Sequence, residues 1–156
     1  MNFLQLKKDL IEFWRIMSNF VELLSEALEE RQKSFKDLEN DGIISKRAFY
    51  QYKTYTPFLP AILKIVNYLK FSLDYFTNRV SKNYFKTYKI EQTKFFEKLK
   101  ARLKNLEISQ TQLCNDLNIG RTNFSYWKNG SLPKLHNLID IANYLNCDID
   151  DLLEHD

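Results

Sequence analysis

The chain repeats itself, and no other feature of its sequence restricts the fold so strongly. Displaced by 75 positions, Phe20, Glu22, Leu24, Leu28, Ser34, Leu38, Asn40, Asp41, Ile44, Phe49 and Lys53 fall on identical residues between Phe95 and Lys128. After one inserted residue the displacement becomes 76, and Pro57, Leu59, Ile65, Asn67, Tyr68, Leu69 and Asp74 fall on identical residues between Pro133 and Asp150. A shared helical period explains matched apolar positions. It does not explain the matched polar residues, Asn40-Asp41 with Asn115-Asp116 and Asn67-Tyr68 with Asn143-Tyr144. Two copies of one unit are therefore expected, at 19–79 and 93–156, with a connector at 80–92 and a separate apolar stretch at 1–18.

Composition narrows what the unit can be. With 3 Gly and 3 Pro in 156 residues, the chain has few turn formers, which counts against β-sandwiches, barrels and Gly-rich nucleotide loops. The net charge of +3 is compatible with a nucleic-acid partner without requiring one. Cys114 and Cys147 have neither metal-ligand nor redox spacing and read as small core residues in a reducing compartment. Lys7, Lys8 and Asp9 interrupt the opening residues too early for a secretory leader, and no apolar run approaches the ~20 residues of a membrane span. A cytoplasmic location, with no membrane partner, is the expectation. His136 and His155 are the only histidines, and no nucleophile–base set, metal cluster or phosphate loop accompanies them. Neither catalysis nor a cofactor is expected.

The second copy is the easier to read. Phe95, Phe96, Leu99, Leu103 and Leu106 recur at helical spacing. Ser109 is an N-cap for a second, short helix with Leu113, Cys114 and Leu117 inward. Asn118-Ile119-Gly120 makes a turn, and a third helix runs from Arg121 to about Lys128 with Phe124 and Trp127 inward. Asn129-Gly130 ends it. Pro133 suits the first turn of a fourth helix, along which Leu135, Leu138, Ala142 and Leu145 form one stripe. Asp148 caps a fifth, with Asp150 and Asp151 at its positive end.

In this order, Leu113-Cys114, Leu117-Asn118-Ile119-Gly120, Phe124-x2-Trp127-Lys128-Asn129-Gly130, Pro133, Leu138-x2-Ile141-Ala142-x2-Leu145 and Asp150-x-Leu152-Leu153 resemble the lambda-repressor-like, Xre-type helix-turn-helix family. The resemblance covers 95–154. It implies a compact bundle of about five helices; with the repeat and the apolar stretch at 1–18, the expected fold is all-α, two tandem lambda-repressor-like bundles with an extra N-terminal helix, the second copy matching better. It also implies a double-stranded DNA partner, read in the major groove by the third helix of the second copy. Base contacts then fall on Gly120, Arg121, Thr122 and Tyr126, with Asn123 and Ser125 on the same helix; phosphate contacts fall on Gln110, Lys128, Asn129 and Lys134. Arg121 has the fork that pairs bidentately with guanine, Thr122 offers a methyl or a hydroxyl, and Gly120 lets the backbone approach. A transcriptional repressor is the simplest output of such a chain.

The first copy departs from the pattern. Ser45, Lys46, Arg47 and Gln51 stand where the second has its reading residues, and Tyr55 replaces the terminal Gly130. Its first helix carries Glu22, Glu26, Glu29 and Glu30, where the second has Lys98, Lys100, Arg102 and Lys104, the set a phosphate backbone prefers. The first copy is a divergent binder or a domain kept for packing. Ahead of it, Phe3, Leu6, Leu10, Phe13, Met17, Phe20, Leu24 and Ala27 step by three and four, a heptad pattern for an extra packed helix or a homodimerisation helix. The competing function is a protein-interaction or antitoxin-type adaptor, in which Phe13, Trp14, Tyr50, Tyr52 and Tyr55 form an interface. RNA stacking on Tyr84, Phe85 and Tyr88 among the connector lysines is a third reading.

Overall fold

The computed structural model describes residues 2–4, 20–90 and 94–156. Residues 5–19, which hold most of the expected N-terminal helix and four of its eight heptad positions, lie outside the described residues. Among the described residues the fold is all-helical, with nine α-helices, one 3-10 turn and a single β-bridge. The chain divides into two compact units, 1–57 and 58–156. The boundary between residues 57 and 58 falls inside the segment 19–79.

The first unit holds α1 (Phe20–Glu30), α2 (Phe35–Asn40) and α3 (Lys46–Tyr52). One stripe of α1, from Phe20 through Leu24 to Leu28, is buried, together with Leu38 and Ile44. A capping box starts α2: Asp37 N–H donates to Ser34 Oγ at 3.3 Å, and Ser34 N–H donates to Asp37 Oδ2 at 2.7 Å. The turn after α2 runs through Gly42 at φ +72°, a left-handed conformation that costs glycine nothing. Phe20 meets Tyr52 edge to face at 5.5 Å, and Phe35 meets Phe49 at 3.9 Å, fixing α3 to both preceding helices.

The second unit holds α4 (Leu59–Leu69), α5 (Leu73–Phe76), α6 (Phe95–Asn105), α7 (Gln110–Leu117), α8 (Thr122–Lys128), α9 (Leu135–Leu145) and a 3-10 turn (Ile149–Asp151). Buried residues of α4 and α9 share one pattern: Leu59, Ile62, Leu63, Ile65, Val66 and Leu69 correspond to Leu135, Leu138, Ile139, Ile141, Ala142 and Leu145. Each stripe is wider than the ~100° needed to cover a single neighbour. Both helices also end in a left-handed residue, Lys70 at φ 59° and Asn146 at φ 52°.

Two expectations need correction. Pro133 does not open α9; it lies just outside, with Lys134 as an extended N-cap and Leu135 as the first helical residue. The fifth helix of the second copy is only the 3-10 turn, closed by a capping box between Asp148 and Asp151. Asp150 and Asp151 stand in its first turn, as expected, and a buried tyrosine also reaches Asp150.

That tyrosine is Tyr88. Residues 77–90, which run into the expected connector, contain no helix. Asn67 holds the Tyr88 backbone from both sides, accepting its N–H and donating to its carbonyl, each at 2.9 Å. Leu73 N–H donates to the Tyr88 hydroxyl at 2.8 Å, and that hydroxyl donates in a short bond to Asp150. Arg79 pairs with the buried Asp74, and also donates to Asn143 Oδ1 at 3.1 Å and the Cys147 carbonyl at 3.0 Å. Asp74 in turn accepts the Ile149 N–H at 3.0 Å. Asp156 N–H to the Thr87 carbonyl and Lys89 N–H to the Glu154 carbonyl flank the Tyr88–His155 bridge. Asn67 with Asn143 and Asp74 with Asp150 are identities of the sequence repeat, and all four bind within this network.

Candidate nucleic-acid interface

The turn between α7 and α8 sets a polar face over an aromatic anchor. Ser109 Oγ accepts the Gln112 N–H at 3.0 Å and starts α7. Asn118, at φ 54°, ends α7 in the left-handed region that asparagine tolerates. On α8 the inward pair Phe124 and Trp127 is buried: Trp127 meets Phe95 of α6 edge to face at 5.3 Å, and Phe124 lies 6.5 Å from Phe96. Gly130, at φ 102°, follows the C-cap Asn129. Tyr144 of α9 donates to Asp116 of α7 at 2.5 Å, tying the two helices together. Burial and that carboxylate push the Tyr144 phenol up to about 12.

Anchoring of the inward face dictates what the outward face presents. Gln110, Gly120, Arg121, Thr122, Ser125, Tyr126, Lys128, Asn129 and Lys134 are all exposed, and Asn123 is half-buried. Tyr126 is a large ring left 63% exposed in the middle of a helix whose other side is core. A Cβ added to Gly120 meets nothing nearer than Asn123 Nδ2 at 3.7 Å. The fold therefore tolerates a side chain there. Arg121 is the N-cap of α8 and makes no side-chain cap bond.

The structure separates the four cations of α6. Lys98 donates to the Leu153 carbonyl at 2.6 Å, and Arg102 pairs with Asp151 at 3.7 Å. Both fasten the C-terminal turn and are drawn away from the phosphate role expected of them. Lys100 and Lys104 are exposed. Cys114 and Cys147 are buried free thiols, pushed up by burial, as small core residues should be.

The matching residues of the first unit are differently employed. Ser45 Oγ accepts the Ala48 N–H at 3.0 Å and is committed to capping α3. Gln51 Oε1 accepts the Tyr55 hydroxyl at 3.1 Å. Lys46 and Arg47 are exposed, and the Lys53 ammonium lies 4.7 Å from the Tyr50 ring centroid. Tyr88 is 2% exposed, so it is no stacking platform. Sequence reasoning missed the network around Tyr88, Asn67 and Arg79. Its visible signal was the pair of asparagines at matching places on two otherwise apolar helices. Burial raises the carboxyls of both Asp74 and Asp150, while Arg79 and the Tyr88 hydroxyl respectively oppose that rise.

No group of residues able to hold a metal ion occurs among the described residues, and no helix among them is long and apolar enough to cross a membrane. No curated protein and no solved structure matches the chain. Its C-terminal segment, however, matches a protein family, and the match spans α7, the turn and α8. Residues 98–156 match the family of Cro/C1-type helix-turn-helix DNA-binding domains.

Proposed function

We propose that the protein is a sequence-specific double-stranded DNA-binding regulator, acting as a repressor, which reads the major groove with α8. One observation carries this: Arg121, Thr122 and Tyr126 stand exposed on a short helix whose opposite face, Phe124 and Trp127, is locked into the core. A major groove admits such a helix, and its N-terminal side chains meet base edges first. Arg121 is assigned to guanine, Thr122 and Tyr126 to neighbouring bases, and Gly120 to a close backbone approach. Gln110, Asn129 and Lys134 are assigned to phosphates, which fix register.

The tandem reading extends this to two copies, 19–79 and 93–156. It is supported by the edge-to-face pairs Phe20–Tyr52 and Phe95–Trp127, which occupy matching places in the repeat and have nearly the same geometry, 5.5 Å and 87° against 5.3 Å and 86°. In that reading Lys46 and Arg47 of α3 are secondary contacts, and the N-terminal apolar stretch joins two chains. An adaptor role is favoured by a different observation: Tyr50 is 58% exposed on α3 while Ser45 and Gln51 are engaged internally. The test is selection of duplexes from a random pool by wild type and Arg121→Ala. An enriched motif that relaxes at one base position in the variant is the expected result. Enrichment of no motif refutes sequence reading and leaves the adaptor.

A further inference from the structure

Segment 58–90 of the second unit precedes the family domain, and its charge is one-sided. It contains Lys64, Lys70, Lys82, Lys86 and Lys89, all exposed. Its only carboxylate, Asp74, is buried and paired with Arg79, the only arginine of the segment. The surface of this segment is therefore cationic, with no acid of its own to offset it. Elsewhere in the protein acids and bases nearly balance, since the whole chain carries only +3.

The lysines also stand on a fixed backbone. Asn83 Oδ1 accepts the Ser72 N–H and its Nδ2 donates to the Lys70 carbonyl, each at 2.8 Å. Tyr88 is clamped by Asn67. Between these anchors Phe85 is half-buried, whereas Lys82, Tyr84 and Lys86 are exposed, Tyr84 at 69%. An exposed tyrosine between two lysines on a pinned stretch suits a phosphate-rich partner, to which all three side chains can donate. Glu154 and Asp156 lie beside Thr87 and Lys89 through backbone bonds, so the cationic character is strongest toward Lys82 and Lys86.

The geometry points to a second nucleic-acid contact surface on the connector, centred on Lys82, Tyr84 and Lys86, which binds backbone phosphates without reading sequence. It rests on the reading of the protein as a DNA binder and adds affinity to it. Each phosphate neutralised by a protein cation steepens the fall of log affinity with log salt by about 0.9 on duplex DNA.

The experiment measures that slope by anisotropy for the full chain and its Lys82→Gln/Lys86→Gln variant, on a random-sequence duplex and on the selected motif. Thermal melting checks the fold; both side chains are exposed, so it should be unchanged. The expected result is a slope shallower by roughly 1.8 on both duplexes, with the same motif selected. An unchanged slope with binding intact overturns this surface and leaves the α8 reading standing. An altered motif overturns the backbone-only role. Absence of salt-sensitive binding to either duplex overturns both readings together.

Discussion

Replacing Tyr88 with phenylalanine isolates one oxygen in the most connected part of the second unit. The ring stays, and its apolar burial stays with it. What goes is the acceptor of the Leu73 N–H, 2.8 Å away, and the donor to Asp150. Leu73 is fully buried, so its amide has no water to turn to. A buried donor or acceptor stripped of its partner costs about 1–3 kcal/mol, more where charge is involved. Two such groups place the loss at roughly 2–6 kcal/mol, a large share of a domain's typical margin of about 5–15 kcal/mol. Urea unfolding followed by Trp127 fluorescence, in a Trp14→Phe background, gives the difference. The pH dependence supplies a second reading. Burial holds the folded Asp150 carboxyl above its usual range, and the Tyr88 hydroxyl draws it back down. Without the hydroxyl the folded value rises further, while the unfolded value is shared by both proteins. The deficit of the variant must then be largest at neutral pH, and shrink as pH falls through the two folded values and the carboxyl becomes protonated in both. A loss below about 0.5 kcal/mol at neutral pH, or a deficit that grows on acidification, refutes the assigned network.

Arg79→Leu leaves the Asp74 carboxylate buried without its cation, and should cost about 3 kcal/mol at neutral pH by the same unfolding assay, less in acid because burial already raises that carboxyl. Ser109→Ala removes the acceptor of the Gln112 N–H and should destabilise the second unit by about 1 kcal/mol, with α7 amides exchanging faster with deuterated solvent. Gly120→Ala should leave the melting temperature nearly unchanged, since an added Cβ has only ordinary contacts, yet weaken DNA binding; full affinity in that variant removes the close backbone approach from the proposed mode.

Much of the fold was legible because helices announce themselves by local spacing. The stripe of Leu135, Leu138, Ala142 and Leu145 is buried throughout α9, and Ser109 and Ser45 each accept the amide three residues on, as caps do. Of the candidate site, the inward pair Phe124 and Trp127 was readable in the same way, and its burial leaves the named outward residues exposed. What could not be read depends on partners distant in sequence. Tyr88 contacts Leu73, 15 residues away, and Asp150, 62 residues away. No periodicity records such pairings, so a buried hydroxyl between two termini looked like an aromatic among lysines. The charge of Lys98 and Arg102 was equally plain in the sequence, but the C-terminal turn that claims them was not.

The network joins the segment matched by the family, residues 98–156, to chain that precedes it. Adjacent residues of α9 face two ways: Asn143 accepts from Arg79 of the connector, and Tyr144 donates to Asp116 of α7, one helix before the recognition turn. Asp74 and Tyr88, both outside residues 98–156, supply the partners of Ile149 and Asp150 in the closing 3-10 turn. The final turn of the matched segment is thus completed by groups that precede it. A short helical bundle has limited apolar area to hold its last turn, and buried polar pairs add specificity of position to what apolar burial provides. Since α9 is continuous and packed on both sides, this connection transmits position. A switching role requires two arrangements of α9 with different partners for Asn143 and Tyr144, and every bond described here belongs to one. The network therefore fixes α9 and the closing turn, and in the proposed mode its variants act on DNA affinity through the stability of the second unit.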